Sequence, residues 1–125
     1  MREITLRTNF QLNGEYTSPA RQVPTVRERA LLLCVEINSV DAVNPASSMA
    51  GNIEVSPDGA TWRHLAGWTW QGGPNALVDR QGNAAPAIVG VALNSLADLS
   101  GQYLRARLAT PTLVRFVRAW IMEPE

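Results

Sequence analysis

A single histidine, His64, and a single cysteine, Cys34, narrow the chemistry open to this chain. An activated serine or thiolate needs a base within hydrogen-bond reach, and His64 is the one imidazole available for that role. It stands between Arg63 and Leu65 in a tryptophan-rich stretch, and no Gly-x-Ser-x-Gly elbow occurs anywhere. Cys34 lies inside the apolar run Ala30-Leu31-Leu32-Leu33-Cys34-Val35, where a thiol behaves as a small hydrophobe. Two carboxylates could work as glycosidic acid and base, but Glu54, Asp58, Asp79 and Asp98 are scattered as surface acids usually are. One Cys and one His cannot assemble an intramolecular disulfide, a Cys/His zinc site or a two-histidine metal site. Ligand spacing for calcium is also missing from the stretch Gln71 to Pro86. The expectation is a protein that is not an enzyme and carries no metal or cofactor.

Binding chemistry is better represented. Of the four tryptophans, Trp62, Trp68 and Trp70 fall within nine positions, and exposed indoles stack on sugar rings or anchor protein interfaces. Trp62 is assigned to the core, whereas Trp68 and Trp70 share a face of one strand and are the stronger surface pair. Gln71 and Asn75 would supply hydrogen-bonding groups at their rim. Asp79 and Arg80 lie in the stretch Gln71 to Pro86, the longest loop expected, and loops of that length are uncommon without a function. Arg105 and Arg107 alternate with Leu104, Ala106 and Leu108, and Arg115 and Arg118 follow on the next segment. Cross-strand arginines can form a patch for a carboxylate-bearing partner.

These residues must be positioned by a chain of 125 residues, enough for one domain spanning 1–125 with a core that needs no disulfide or metal. The hydrophobic fraction of 46% is that of a globular protein. The 11 basic residues are all arginine and are balanced by 11 acidic ones, so no net positive field points to nucleic acid or an anionic membrane. The longest apolar run is six residues, far short of a membrane span, and no signal-peptide pattern opens the chain. Synthesis and retention in the cytoplasm are expected.

Short extended segments separated by turn signals predict an all-β fold. Ile4 and Leu6 alternate with polar neighbours, and Asn13-Gly14 is the kind of dipeptide that turns one strand into the next. Loops are expected over Ser18 to Thr25 and Val40 to Met49. Arg29 to Asn38 reads as a central strand, with Leu31, Leu33, Val35 and Ile37 on one face. Ile53 and Val55 lead into Ser56-Pro57-Asp58-Gly59, a tight hairpin, and Thr61 to Trp70 returns with a bulge expected at Gly67. Ile88 to Leu93 and Tyr103 to Ala109 are further strands. Thr110-Pro111-Thr112 is read as the last turn, and Leu113 to Met122 closes the fold with apolar residues on both faces. About seven or eight strands predict an antiparallel β-sandwich or jelly roll.

The stretch Ser56-Pro57-Asp58-Gly59-Ala60-Thr61-Trp62 resembles the Asp-box hairpin of sialidase-type propellers, with one residue fewer between Asp58 and Gly59, in a chain too short for a propeller. It is also similar to hairpins of galactose-binding-like jelly rolls. Together with Trp68-Thr69-Trp70-Gln71-Gly72-Gly73 and Gly101-Gln102-Tyr103-Leu104-Arg105-Ala106-Arg107, it resembles the small β-sandwich virion proteins of tailed phages, of the capsid decoration or cement type. That resemblance implies a structural protein assembled in the host cytoplasm and bound as a homo-oligomer to the major capsid protein or another virion protein. Residues 9 to 28 and the stretch Gln71 to Pro86 would make the contacts. The alternative is a carbohydrate-binding sandwich of a tail or receptor-binding apparatus, with a glycan on Trp68 and Trp70.

Overall fold

The structure is a computed structural model that describes residues 2–22, 31–73, 87–93 and 101–123. Within them run β1 (Arg2–Thr17), β2 (Arg21–Gln22), β3 (Leu31–Ile37), α1 (Ser39–Ala42), β4 (Ser48–Ser56), β5 (Arg63–Gln71), β6 (Ala87–Leu93) and β7 (Tyr103–Glu123). Every strand pairing is antiparallel. Hydrogen bonding follows the path β5-β4-β7-β3-β6, with β1 and β2 also on β7.

The long strand β7 is the spine. One edge pairs with β1 from Arg2↔Glu123 to Thr17↔Arg107, while the other carries β4 along Tyr103–Ala109 and β3 along Phe116–Met122. From that second edge the sheet forks, because β5 extends β4 and β6 extends β3. The result is an antiparallel β-sandwich whose two layers share β1 and β7. Alternation sends every second side chain inward. Leu31, Leu33, Val35 and Ile37 of β3 thus meet Met49, Ile53 and Val55 of β4 and Leu104, Ala106 and Leu108 of β7 in one buried core.

Two segments read as turns are bends inside continuous strands. Between Leu12↔Val114 and Gly14↔Thr110, β7 sets Pro111, Thr112 and Leu113 against Asn13 alone. The breakers of both strands therefore lie opposite each other, and the pair bends together from one layer into the other instead of reversing. Gly14 takes φ 130° here, a conformation open mainly to glycine, and Pro111 costs no ladder bond in a bulge. The buried Thr110 hydroxyl fills the gap: it donates to Leu12 O at 2.8 Å and accepts from Gly14 N–H at 3.4 Å.

A second bulge explains the mixed faces of the closing strand. Opposite β3, Ile37 pairs with Phe116 but Glu36 pairs with Arg118, leaving Val117 as an extra residue. Inward positions accordingly pass from Val114 and Phe116 to Ala119 and Ile121, all buried. On β5 the irregularity falls at Leu65, between Ile53↔Ala66 and Glu54↔His64, not at Gly67. Gly67 has another reason: a Cβ there would collide with Asn52 Oδ1 and stand 2.8 Å from Gly51 O. Regular elements also occur in both expected loops, β2 in the first and α1 in the second, where Asn38 Oδ1 caps Val40 N–H at 2.9 Å. The segment Leu96 to Leu99 lies outside the described residues.

Candidate functional site

The outer face of the β5-β4-β7-β1 layer carries a cluster of charged and polar side chains. Register places three rows across it: Arg105–Glu54–His64, then Thr17–Arg107–Asn52–Gly67, then Glu15–Ala109–Ala50–Thr69. Glu54 is the hub, with a side chain only 15% exposed. Arg105 Nε donates to its Oε1 at 2.8 Å, and Arg107 Nη1 lies 3.8 Å from its Oε2. Arg107 reaches further, donating from Nη2 to Glu15 Oε2 at 3.0 Å. The Arg105 guanidinium also lies under the Trp62 ring, 4.2 Å from its centroid, a cation–π stack that adds attraction where water is partly excluded.

Trp62 is delivered to this place by the turn before it. Ser56 Oγ donates to Asp58 Oδ1 at 2.8 Å and accepts from the N–H groups of Gly59 and Asp58. Asp58 Oδ1 in turn accepts from Ala60 N–H at 2.9 Å and Thr61 N–H at 3.0 Å. Gly59 adopts φ 78°, where a side chain would be strained. The donors hold the Asp58 carboxyl down at about 2 against an ordinary 3.8, the Thr61 and Ala60 N–H groups contributing most. A depressed acid stabilises the fold fully above its unfolded value and loses that contribution as pH falls through its folded value. The stability gap between wild type and Asp58→Asn is therefore expected to stay constant down to about pH 4 and to close toward pH 2. Denaturation midpoints across that range would refute this if the gap persisted undiminished at pH 2.

Beside the charged rows, the small side chains of Ala50 and Ala109 form the floor of a groove of about 650 Å³ that Glu15, Ser48, Thr69, Gln71 and Pro111 also line. Among the described residues, no group of three or more His, Cys, Asp or Glu side chains is placed to hold a metal ion. Cys34 is buried, and that burial pushes its thiol pKa up, away from thiolate chemistry. His64 is exposed, across the ladder from Glu54.

The tryptophans are sorted the other way round from the sequence expectation. Trp68 and Trp70 do share a face, but it is the inner one, opposite Gly51 and Met49, and both are partly buried against the core. Trp68 Nε1 donates to Leu33 O at 3.2 Å, across to the other layer. Gln71 uses its Nε2 on Pro45 O and Ser47 O. The indole that reaches the outer face is Trp62. Arg105 and Arg107 come together there as their alternation implies, whereas Asn75, Asp79 and Arg80 lie outside the described residues. Residues 9–17 are paired in β1 and are not a free loop. Sequence reasoning misses Glu54 and Tyr103 as members of this cluster: the two-residue spacing of Tyr103 and Arg105 on one strand is a readable signal, whereas Glu54 joins only through the pairing of β4 with β7.

No family model and no curated protein matches this chain. Among solved structures it is similar to the K1 cleaved adhesin domain of Lys-gingipain from Porphyromonas gingivalis W83, at 17% identity and a TM-score of 0.45. The alignment covers 89% of this chain and 63% of that one, so the chain spans less than two thirds of the adhesin domain's length.

Proposed function

We propose that the protein is a non-enzymatic structural protein that attaches to a larger protein assembly, and specifically a decoration or cement protein of a tailed-phage head. The observation that carries this reading is the Trp62, Tyr103, Arg105 and Arg107 cluster on one sheet face. Trp, Tyr and Arg are the residue types that dominate binding energy at protein interfaces. Here Tyr103, Arg105 and Arg107 stand on β7 and Trp62 directly precedes β5, and strands position side chains more firmly than loops do. The Tyr103 ring packs near Gly59 of the hairpin, and Arg105 is clamped between Glu54 and Trp62. Such a face ties little up in ordering on contact, since its side chains are already held. The partner is the major capsid protein or another virion protein, and the bound form is a homo-oligomer. Several modest protomer contacts on a symmetric lattice then sum through effective concentration.

Light scattering and co-sedimentation with purified phage heads test this. A stable oligomer that pellets with heads in fixed stoichiometry is the expected result, and the double variant Arg105→Ala/Arg107→Ala should bind at least about tenfold more weakly. A monomer left wholly in the supernatant would overturn the reading.

A further inference from the structure

We infer that the end of the Arg105 guanidinium is a receptor for a single carboxylate of the partner protein, an acidic side chain or a chain terminus. This deepens the attachment reading and rests on it for the identity of the partner, though not for the chemistry of the site. Arg105 is held on two sides. Its Nε is spent on Glu54 Oε1 at 2.8 Å, and its plane lies under Trp62 at 4.2 Å. Among the described residues neither Nη of Arg105 has a hydrogen-bond partner, and its side chain keeps 26% of its surface exposed. Arg107 differs, because one Nη is given to Glu15 and the other faces Glu54.

The two free Nη groups form a planar fork with parallel donors, the geometry that matches the two oxygens of a carboxylate. Charge supports the same occupant. Glu54 and Glu15 together neutralise two arginines, and His64 and Arg63, both exposed on β5, add no acid that would compete for the fork. A singly charged carboxylate adds the least further negative charge to this neutral cluster. A dianionic phosphate would instead bring a second charge next to Glu54, which lies within 4 Å of both guanidinium groups. Stacking on Trp62 shields one face of the guanidinium from water and strengthens each bond it makes at its edge.

Nuclear magnetic resonance titration of the full chain with a capped hexaglutamate peptide tests the site directly, with the hexaglutamine peptide and inorganic phosphate as comparisons. The expected result is a saturable shift of the Arg105 Nε–H and Trp62 Nε1–H signals with hexaglutamate, little with hexaglutamine, and weaker binding of phosphate. Arg105→Lys keeps the charge but loses the fork, so affinity should fall about tenfold with the remaining spectrum preserved. Trp62→Leu keeps the arginine without its stack and should weaken binding less. Undiminished affinity in Arg105→Lys, shifts centred elsewhere, or tighter binding of phosphate would overturn the carboxylate assignment. Peptide binding at Arg105 by a protein that ignores phage heads would leave this site standing and defeat the head reading. Head binding that Arg105→Lys leaves unchanged would do the reverse.

Discussion

Replacing Trp68 with alanine is expected to lower stability by about 3–5 kcal/mol, the range seen when a large aromatic side chain is removed from a packed interior. The size of the effect follows from what the indole joins. Trp68 stands on β5 directly opposite Gly51 of β4, where the absence of a side chain leaves room for the ring. A Cβ at Gly51 would lie 2.6 Å from the indole, closer than any real contact. The ring also reaches the other layer, donating from Nε1 to Leu33 O at 3.2 Å. Alanine would open a cavity facing a glycine, which cannot collapse to fill it, and would break the one side-chain hydrogen bond described between β5 and β3. Against a typical domain stability of about 5–15 kcal/mol this is a large fraction. Thermal unfolding should show it as a drop of roughly 10–20 °C. Trp68→Phe keeps a ring and loses the N–H, and should cost about 1–2 kcal/mol. A loss below about 1 kcal/mol for Trp68→Ala would show that the indole does not hold the layers together.

Asp41→Ala should be the next most damaging change, at about 2–4 kcal/mol. Asp41 sits in the single turn of α1 with its side chain only 7% exposed, and it fastens that turn to β7. Its Oδ2 accepts the Arg115 backbone N–H at 2.8 Å and Arg115 Nε at 3.1 Å. The neighbouring Asn38 N–H donates to Arg115 O at 2.9 Å, so the same residue of β7 is held from both sides. Removing the carboxylate strands a backbone donor in a site with little access to water, which costs more than losing an exposed ion pair. The guanidinium itself is half in solvent, with 50% of the Arg115 side chain exposed. Arg115→Ala preserves the backbone bond and should therefore cost less, about 1 kcal/mol. Equal losses in the two variants, measured by denaturant unfolding, would mean that the ion pair and not the backbone bond carries the anchor.

The outward pair Arg105 and Arg107 was legible because strict alternation with Leu104, Ala106 and Leu108 marks two faces of one strand, and those three apolar residues are fully buried. The clamp on Arg105 was not legible. It depends on Glu54, 51 positions away in sequence, and on Trp62 beyond the hairpin, and only the pairing of β4 with β7 brings them together. For the tryptophans the same logic failed at a different step. Parity correctly grouped Trp68 with Trp70, but parity is silent about which side of the strand is covered. The cover comes from β3, through Leu33, and from the missing side chain of Gly51.

By itself the sequence determined the all-β character, the buried face of β3, Ile53 and Val55 of β4, the buried residues of the first half of β7, and the self-contained turn at Ser56-Pro57-Asp58-Gly59. Each of these rests on local chemistry: two-residue alternation, apolar runs, and side chains that hydrogen-bond neighbouring backbone. Tertiary structure alone decided whether Asn13-Gly14 and Thr110-Pro111-Thr112 end their strands or bend them. A turn dipeptide lowers the cost of departing from straight extension in either case. What settles the outcome is that the two breakers face each other across the β1/β7 ladder, so both strands bend at one level and continue into the second layer. The extra residue at Val117 was likewise invisible in the sequence, because a bulge is defined by the partner strand and not by the residue that forms it.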